Sequence, residues 1–172
     1  MTNKEFFIQT WQSEMQTTLN AIKGIPADKS KWNYRCHAKS RSTAEILSHM
    51  LRHAEVLSNA TETFIADERT QYHQFGSVED ADAYFEKWAS LATEKLQAMD
   101  DATWDEKIID FQVDGASYYQ FPMSRLGWML VFDIVHHRGQ LSTYYRQMGV
   151  RNPNIYGPTA EDVEAMMTAQ SN

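Results

Sequence analysis

The stretch LGWMLVFDIVHHRGQLSTYYRQMG, residues 126–149, is the part of the chain that decides its fold. Its apolar residues recur every three or four positions, which is the period of an amphipathic α-helix. The apolar arc is marked by Leu126, Leu130, Leu141, Tyr144 and Met148. On the same helical wheel, Asp133 and His137 fall within roughly 20–30° of the centre of that arc. The helix predicted over residues 123–148 therefore directs a carboxylate and an imidazole towards the core.

Three further segments have the same period, and they predict helices over about residues 3–23, 42–66 and 78–99. The second of them begins at Ser42 with Glu45 three places on, which is the signature of a capping box. Four amphipathic helices of about 20 residues each favour an all-α fold, an antiparallel four-helix bundle. Another all-α connectivity would obey the same packing rules, and the pattern of the sequence does not separate the two.

The period changes between residues 104 and 121, where the run KIIDFQVDGASYYQF (107–121) is rich in β-branched and aromatic residues. Asp114 and Gly115 in its middle predict a type I′ hairpin turn. We expect a short hairpin or loop excursion before the last long helix rather than a sheet. A short terminal helix is expected over 160–169, and the length of 172 residues fits a single domain over 1–172.

The composition excludes several classes of partner. The formal net charge is -7, and the most basic stretch, residues 29–41, has no recognition motif, so nucleic-acid binding is disfavoured. The longest apolar run is far shorter than the roughly 20 residues that span a bilayer, and the N-terminus has no signal-peptide core. The single cysteine, Cys36, cannot form an internal disulfide. We therefore expect a cytoplasmic protein without a membrane partner.

A carboxylate on a core-facing stripe indicates a functional site. A buried charge without a partner costs several kcal/mol, so Asp133 needs a cationic partner, and His137 lies one helical turn away at i, i+4. Two donors at this spacing also suit one metal ion. In the second predicted helix, His49 and His53 have the same spacing, and either could supply a third ligand. Three N/O ligands with an open position are typical of a catalytic metal site, whereas a buried Asp–His pair without a metal is the alternative.

Three motifs carry a resemblance to a known family: TAEILSHMLRHAE (43–55), FDIVHHRGQLSTYYRQMG (132–149) and NIYGPTAED (154–162). In order and spacing they resemble the DinB/YfiT-like superfamily. The resemblance implies a four-helix bundle, usually dimeric, with a divalent metal held by one ligand from the second helix and two from the last long helix. By position these ligands are His49, Asp133 and His137. Many members have histidine where this chain has Asp133, but aspartate also binds divalent metals.

The same resemblance assigns supporting roles to neighbours of these ligands. His53 is the reserve ligand, and His136 and Gln140 are expected to support the ligands through hydrogen bonds. Gly139 belongs to the signature as well, and its missing Cβ leads us to expect close approach of another helix there. Zn or Ni are the metals favoured by this set, with Mn or Fe(II) as further options.

The function implied by the resemblance is that of a metal-dependent enzyme acting on a small molecule. Relatives suggest an S-transferase that uses a low-molecular-weight thiol such as bacillithiol, mycothiol or glutathione in stress response or detoxification. A metal-dependent hydrolase is one alternative, with His53 or His136 as its base. The other is a non-catalytic, DNA-damage-inducible homodimer with a structural metal. No residue in the chain identifies the thiol, so the step from metal site to reaction is analogy.

Overall fold

The four long helices lie where the period of the sequence predicts them. The computed structural model describes residues 1–170. In chain order its helices are α1 (Asn3–Lys23), α2 (Thr43–Thr63), α3 (Val78–Ala98), α4 (Asp101–Glu106), α5 (Met123–Gln147) and α6 (Ala160–Gln170), with a short 3-10 helix at Lys29–Asn33. Helix α2 packs against α3 and α5, and α1 packs against the same two helices. The four long helices thus surround one core, while their antiparallel arrangement stays a prediction.

Helix α2, which carries two of the site histidines, begins and ends at well-defined signals. The Ser42 hydroxyl accepts from the Glu45 N–H at 3.2 Å, and the Ser42 N–H donates to the Glu45 carboxylate at 2.7 Å. The predicted capping box is therefore confirmed. The predicted end at residue 66 is wrong, because Phe64 takes a left-handed backbone conformation with φ 56° and closes the helix.

A small sheet replaces the simple excursion that the sequence predicts. Strands β2 (Ile108–Val113) and β3 (Ala116–Pro122) form the predicted hairpin, and Asp114 and Gly115 have the positive φ angles, 49° and 80°, that a type I′ turn requires. The expectation that no sheet forms is wrong, because β1 (Ile65–Glu68) pairs in parallel with β2. Strand β1 leaves α2 directly after Phe64, and this turn brings Glu68 back beside α2.

Large aromatic side chains fill the core between α1, α4 and α5. Phe7 and Trp104 are fully buried, with ring centroids 4.6 Å apart. A Cβ on Gly127 would lie 2.5 Å from the Trp104 ring and 2.9 Å from the Phe7 ring, so this position requires glycine. Within the described part of the chain, nothing lies within 4 Å of a Cβ placed on Gly139. The close approach expected at Gly139 is therefore wrong, and it occurs three turns earlier at Gly127.

The C-terminal segment folds back along α5. Arg146 pairs with Glu161, and Arg151 pairs with Asp162, so that α6 is tied to the end of α5 and the loop that follows it. The predicted domain of residues 1–172 includes positions 171 and 172, which lie outside the described residues. Across residues 1–170, no helix is both long enough and apolar enough to cross a membrane.

Candidate metal centre

Helices α2 and α5 bring three imidazoles to one carboxylate oxygen. The Oδ2 atom of Asp133 lies 2.6 Å from Nε2 of His53, 3.1 Å from Nε2 of His49 and 3.2 Å from Nε2 of His137. His49 and His53 are one turn apart on α2, and Asp133 and His137 are one turn apart on α5. The i, i+4 spacing in each helix therefore places all four groups at a single point between the two helices.

Three of these residues form the tightest group of donor atoms. His49, His53 and Asp133 place one nitrogen or oxygen each within 4.8 Å of one another, so they could hold a metal ion. The set predicted from the sequence shares His49 and Asp133 with this group and has His137 in place of His53. His137 contacts the same oxygen of Asp133 as the other two histidines. The assignment of His137, and not His53, as the third ligand stays a prediction.

Hydrogen bonds fix the ring of His137 so that its Nε2 atom can act as a ligand. The Gln140 Oε1 atom lies 2.8 Å from His137 Nδ1, and the Gln140 amide nitrogen lies 2.9 Å from Nε2 of His136. The Arg41 guanidinium, which can only donate, lies 3.4 Å from His137 Nε2. This pattern places the proton of a neutral His137 on Nδ1 and the lone pair on Nε2. The predicted supporting positions of His136 and Gln140 thus form one chain of contacts behind His137.

Glu68, on strand β1, is the residue of the centre that sequence reasoning missed. Its Oε1 atom lies 2.8 Å from Nδ1 of His53, and its side chain is 12% exposed. The two atoms are close but are not aligned as a hydrogen bond, so the contact is an ion pair at short range. His53 is consequently held between two carboxylates, with Glu68 at one ring nitrogen and Asp133 at the other.

The electrostatics of the centre separate the two histidines of α2. Burial lowers the pKa of His53, but the hydrogen bond to Asp133 and the contact with Glu68 outweigh it and raise the pKa to about 9. Burial also lowers the pKa of His49, and there the single hydrogen bond to Asp133 does not compensate. Burial alone would raise the pKa of Asp133, but contacts with His137, His49 and His53 hold it well below its usual range. Without a metal, His53 is the protonated member of the group.

The donor chemistry fits a divalent metal ion. One carboxylate oxygen has about two lone pairs, yet three imidazole nitrogens face the Asp133 Oδ2 atom. The third of these nitrogens, Nε2 of His137, lies 3.2 Å from this oxygen without the alignment of a hydrogen bond, and a cation bound to both groups would satisfy them. Two histidines and a carboxylate are a known ligand set for Zn, Ni, Mn and Fe(II). The residues present therefore fit the metal that the sequence predicts.

A pocket of about 470 Å³ opens onto this group. Its polar wall consists of His49, His53, Glu68 and Asp133. Its apolar wall consists of Phe111 from β2 and Met129, Leu130 and Phe132 from α5. The Asp133 side chain is 37% exposed, so it lies at the pocket mouth and not in the dry core that the helical wheel suggested. The volume suits a small organic molecule, with apolar contacts on one side and charged groups on the other.

Comparisons with known proteins agree with this fold. The DinB family model matches residues 1–171. A DinB-like protein from Bacillus cereus is 23% identical, with a TM-score of 0.70, 88% of this chain covered and 97% of that chain covered. A DinB-like protein from Bacillus subtilis is 16% identical, with a TM-score of 0.65 and coverages of 89% and 99%. No curated protein matches the chain significantly. The family model spans nearly the whole sequence, and the chain therefore belongs to the DinB family.

Proposed function

We propose that this chain is a divalent-metal-dependent transferase that joins a low-molecular-weight thiol to a small electrophile. The observation that carries the proposal is the convergence of His49, His53 and His137 on one oxygen of Asp133, at the mouth of a pocket with an apolar wall. A metal ion buried for structural reasons is normally enclosed on all sides, whereas a catalytic one keeps a side open to substrate. The exposed Asp133 and the adjoining pocket correspond to the second arrangement.

His49, Asp133 and His137 are the ligands in this proposal, and His53 holds Asp133 in place. His53 reaches Asp133 with one nitrogen and Glu68 with the other, which orients the carboxylate. His137 is oriented by Gln140 in the same manner. Zn or Ni would occupy the site in preference to Mn or Fe(II), since two imidazoles favour the later metals of the series. When bound, the metal lowers the pKa of a coordinated thiol, so that thiolate is present at neutral pH.

The apolar residues beside the metal ligands position the electrophile. Phe111, Leu130 and Phe132 provide apolar contacts for its carbon skeleton beside the metal ligands. The sulfur forms a bond to the electrophilic carbon, and the bond from that carbon to its leaving group breaks, so that the leaving group departs with the electron pair. The thiol proton passes to solvent water at the open side of the site beside Asp133.

A metal-dependent hydrolase is the second candidate, and Glu68 favours it. Neither base predicted from the sequence is suitably placed, because His136 is exposed outside the pocket and both nitrogens of His53 are engaged. Glu68 lines the pocket and could accept a proton from an attacking water. The homodimer, the cytoplasmic location and the DNA-damage induction implied by the family resemblance remain predictions for this chain.

The first experiment is elemental analysis of untagged protein together with His49→Ala, His137→Ala and the control His37→Ala, in which an exposed histidine outside the centre is removed. We expect close to one metal per chain in the wild type and in the control, and little in the other two variants. Wild-type protein that stays metal-free after incubation with Zn or Ni would contradict the proposal.

The second experiment tests the reaction. Metal-loaded protein is mixed with the electrophile 1-chloro-2,4-dinitrobenzene and one thiol at a time. Glutathione is the first thiol, and other small thiols are tested in separate mixtures. In this reaction sulfur replaces chloride on the ring. We expect thioether formation above background with at least one thiol, lost in His49→Ala. A metal-loaded protein that accelerates ester hydrolysis but no thiol transfer would support the hydrolase, and one that accelerates neither would support a non-catalytic bundle.

A further inference from the structure

Arg41 places a positive charge beside the candidate metal ligands. Its Nη1 atom lies 3.4 Å from Nε2 of His137, and its Nε atom donates to the Tyr72 hydroxyl at 3.0 Å. Neither partner is a carboxylate. Within residues 1–170, no carboxylate lies within ion-pairing distance of the Arg41 guanidinium. Two other arginines have carboxylate partners, since Arg35 pairs with Glu45 and Arg69 pairs with Asp67, whereas Arg52 donates to backbone carbonyls.

The position of the Arg41 guanidinium is electrostatically unfavourable beside a bound metal ion when no anion is present. A guanidinium repels a divalent cation bound to the adjacent imidazole. The two negative charges of Asp133 and Glu68 do not balance a divalent cation plus the guanidinium of Arg41, so the centre keeps a net positive charge. An anionic group on a bound molecule would cancel that excess. The side chain is exposed, and apart from the contact with His137 its hydrogen bond goes to Tyr72, while the backbone carbonyl of Arg41 accepts from Tyr144.

We infer that Arg41 is a specificity-determining residue that binds the carboxylate of an anionic substrate at the metal centre, with Tyr72 as its positioning residue. The planar fork of a single guanidinium matches one carboxylate, and the hydrogen bond from Nε to Tyr72 holds the group with its Nη1 atom beside His137. The substrate class is therefore a small thiol that carries a carboxylate. This inference rests on the proposed function and adds the charge of the substrate to it.

The test compares two thiols that differ only in charge, 3-mercaptopropionate and its methyl ester, on Co²⁺-loaded protein. The sulfur-to-cobalt charge-transfer band reports the dissociation constant of each thiol. The ratio of the two constants is measured in the wild type, Arg41→Gln, Arg41→Lys, Tyr72→Phe and the charge-matched control Arg69→Gln. Because only the change in ratio between variants is used, the intrinsic difference between the two thiols cancels.

We expect the preference for the acid over the ester to fall about fivefold in Arg41→Gln, the effect of one partly exposed charge pair. Tyr72→Phe should lose part of the preference, Arg41→Lys should retain part, and Arg69→Gln should match the wild type. An unchanged ratio in Arg41→Gln, or an equal loss in Arg69→Gln, overturns the inference while the proposed function stands. Failure of both thiols to alter the Co²⁺ spectrum, or failure to bind Co²⁺, overturns both.

Discussion

The stability of the metal-free protein should fall as the pH rises from about 6.5 to 9, because of the proton on His53. The folded-state pKa of this side chain is raised from 6.5 to about 9. Between these values the folded protein binds a proton that the unfolded chain has released, so raising the pH favours unfolding. The contribution of His53 is complete below pH 6.5 and is lost as the pH passes through 9.

The size of the effect follows from the pKa difference. One pKa unit corresponds to about 1.4 kcal/mol, so a shift from 6.5 to about 9 contributes on the order of 3 kcal/mol to the free energy of unfolding. Solvent screening does not reduce this figure much, since the His53 side chain is 3% exposed. His49 acts in the opposite sense, but its lowered pKa affects stability only below pH 6.5, outside this range.

Urea unfolding in the presence of a chelator, at half-unit steps from pH 6 to 9.5, measures this dependence directly. The control is His53→Gln, which carries no proton at any of these pH values and should show a flatter profile even if its overall stability is lower. Glu68→Gln should retain part of the slope, and the exposed Glu62→Gln should retain all of it. A flat wild-type profile, or equal slopes in the wild type and His53→Gln, would refute the reasoning.

Three further outcomes are expected. Zn²⁺ should raise the melting temperature more at pH 8 than at pH 6, because imidazoles must lose their protons to bind metal, and an equal rise measured by scanning fluorimetry would argue against histidine ligands. Gly127→Ala should destabilise the protein by about 1–2 kcal/mol in urea, since overpacking against Trp104 exceeds the gain in helix propensity, whereas Gly139→Ala should be neutral or slightly stabilising. Arg138→Met should cost about 3 kcal/mol in the same assay, because it leaves Glu14 without its buried partner, and a loss below about 1 kcal/mol would contradict that account.

The long helices were predictable because each buries one face along its whole length, so the apolar residues repeat every three or four positions. The same logic placed Asp133 and His137 on one face of α5. Strand β1 was not predictable in this way. It has only four residues, and the left-handed conformation of Phe64 that separates it from α2 has no signal in the sequence. The sheet depends on pairing between β1 and β2, which are far apart in the chain.

In the candidate site too, contacts within one helix could be predicted from the sequence, whereas contacts between distant segments could not. His49 with His53, and Asp133 with His137, are local pairs on single helices, and their spacing is visible in the sequence. The contact from Glu68 to His53 depends on where β1 turns back. The contact from Arg41 to His137 joins residues from two segments that meet only in the folded protein. Arg41 immediately precedes the cap of α2, and that position in the sequence gives no indication of its neighbour.

The location of the centre bears on whether its metal serves folding or chemistry. The core contains fully buried aromatic residues such as Phe7, Trp11 and Trp104, none of which contributes to the metal centre. We expect a chain of this size with such a core to fold without a metal, unlike small domains that unfold without zinc. In the metal-free state, the proton on His53 offsets one of the two carboxylate charges beside it. We therefore expect the fold to form with or without a metal, and the open pocket beside Asp133 agrees with the catalytic role that we propose for a bound metal.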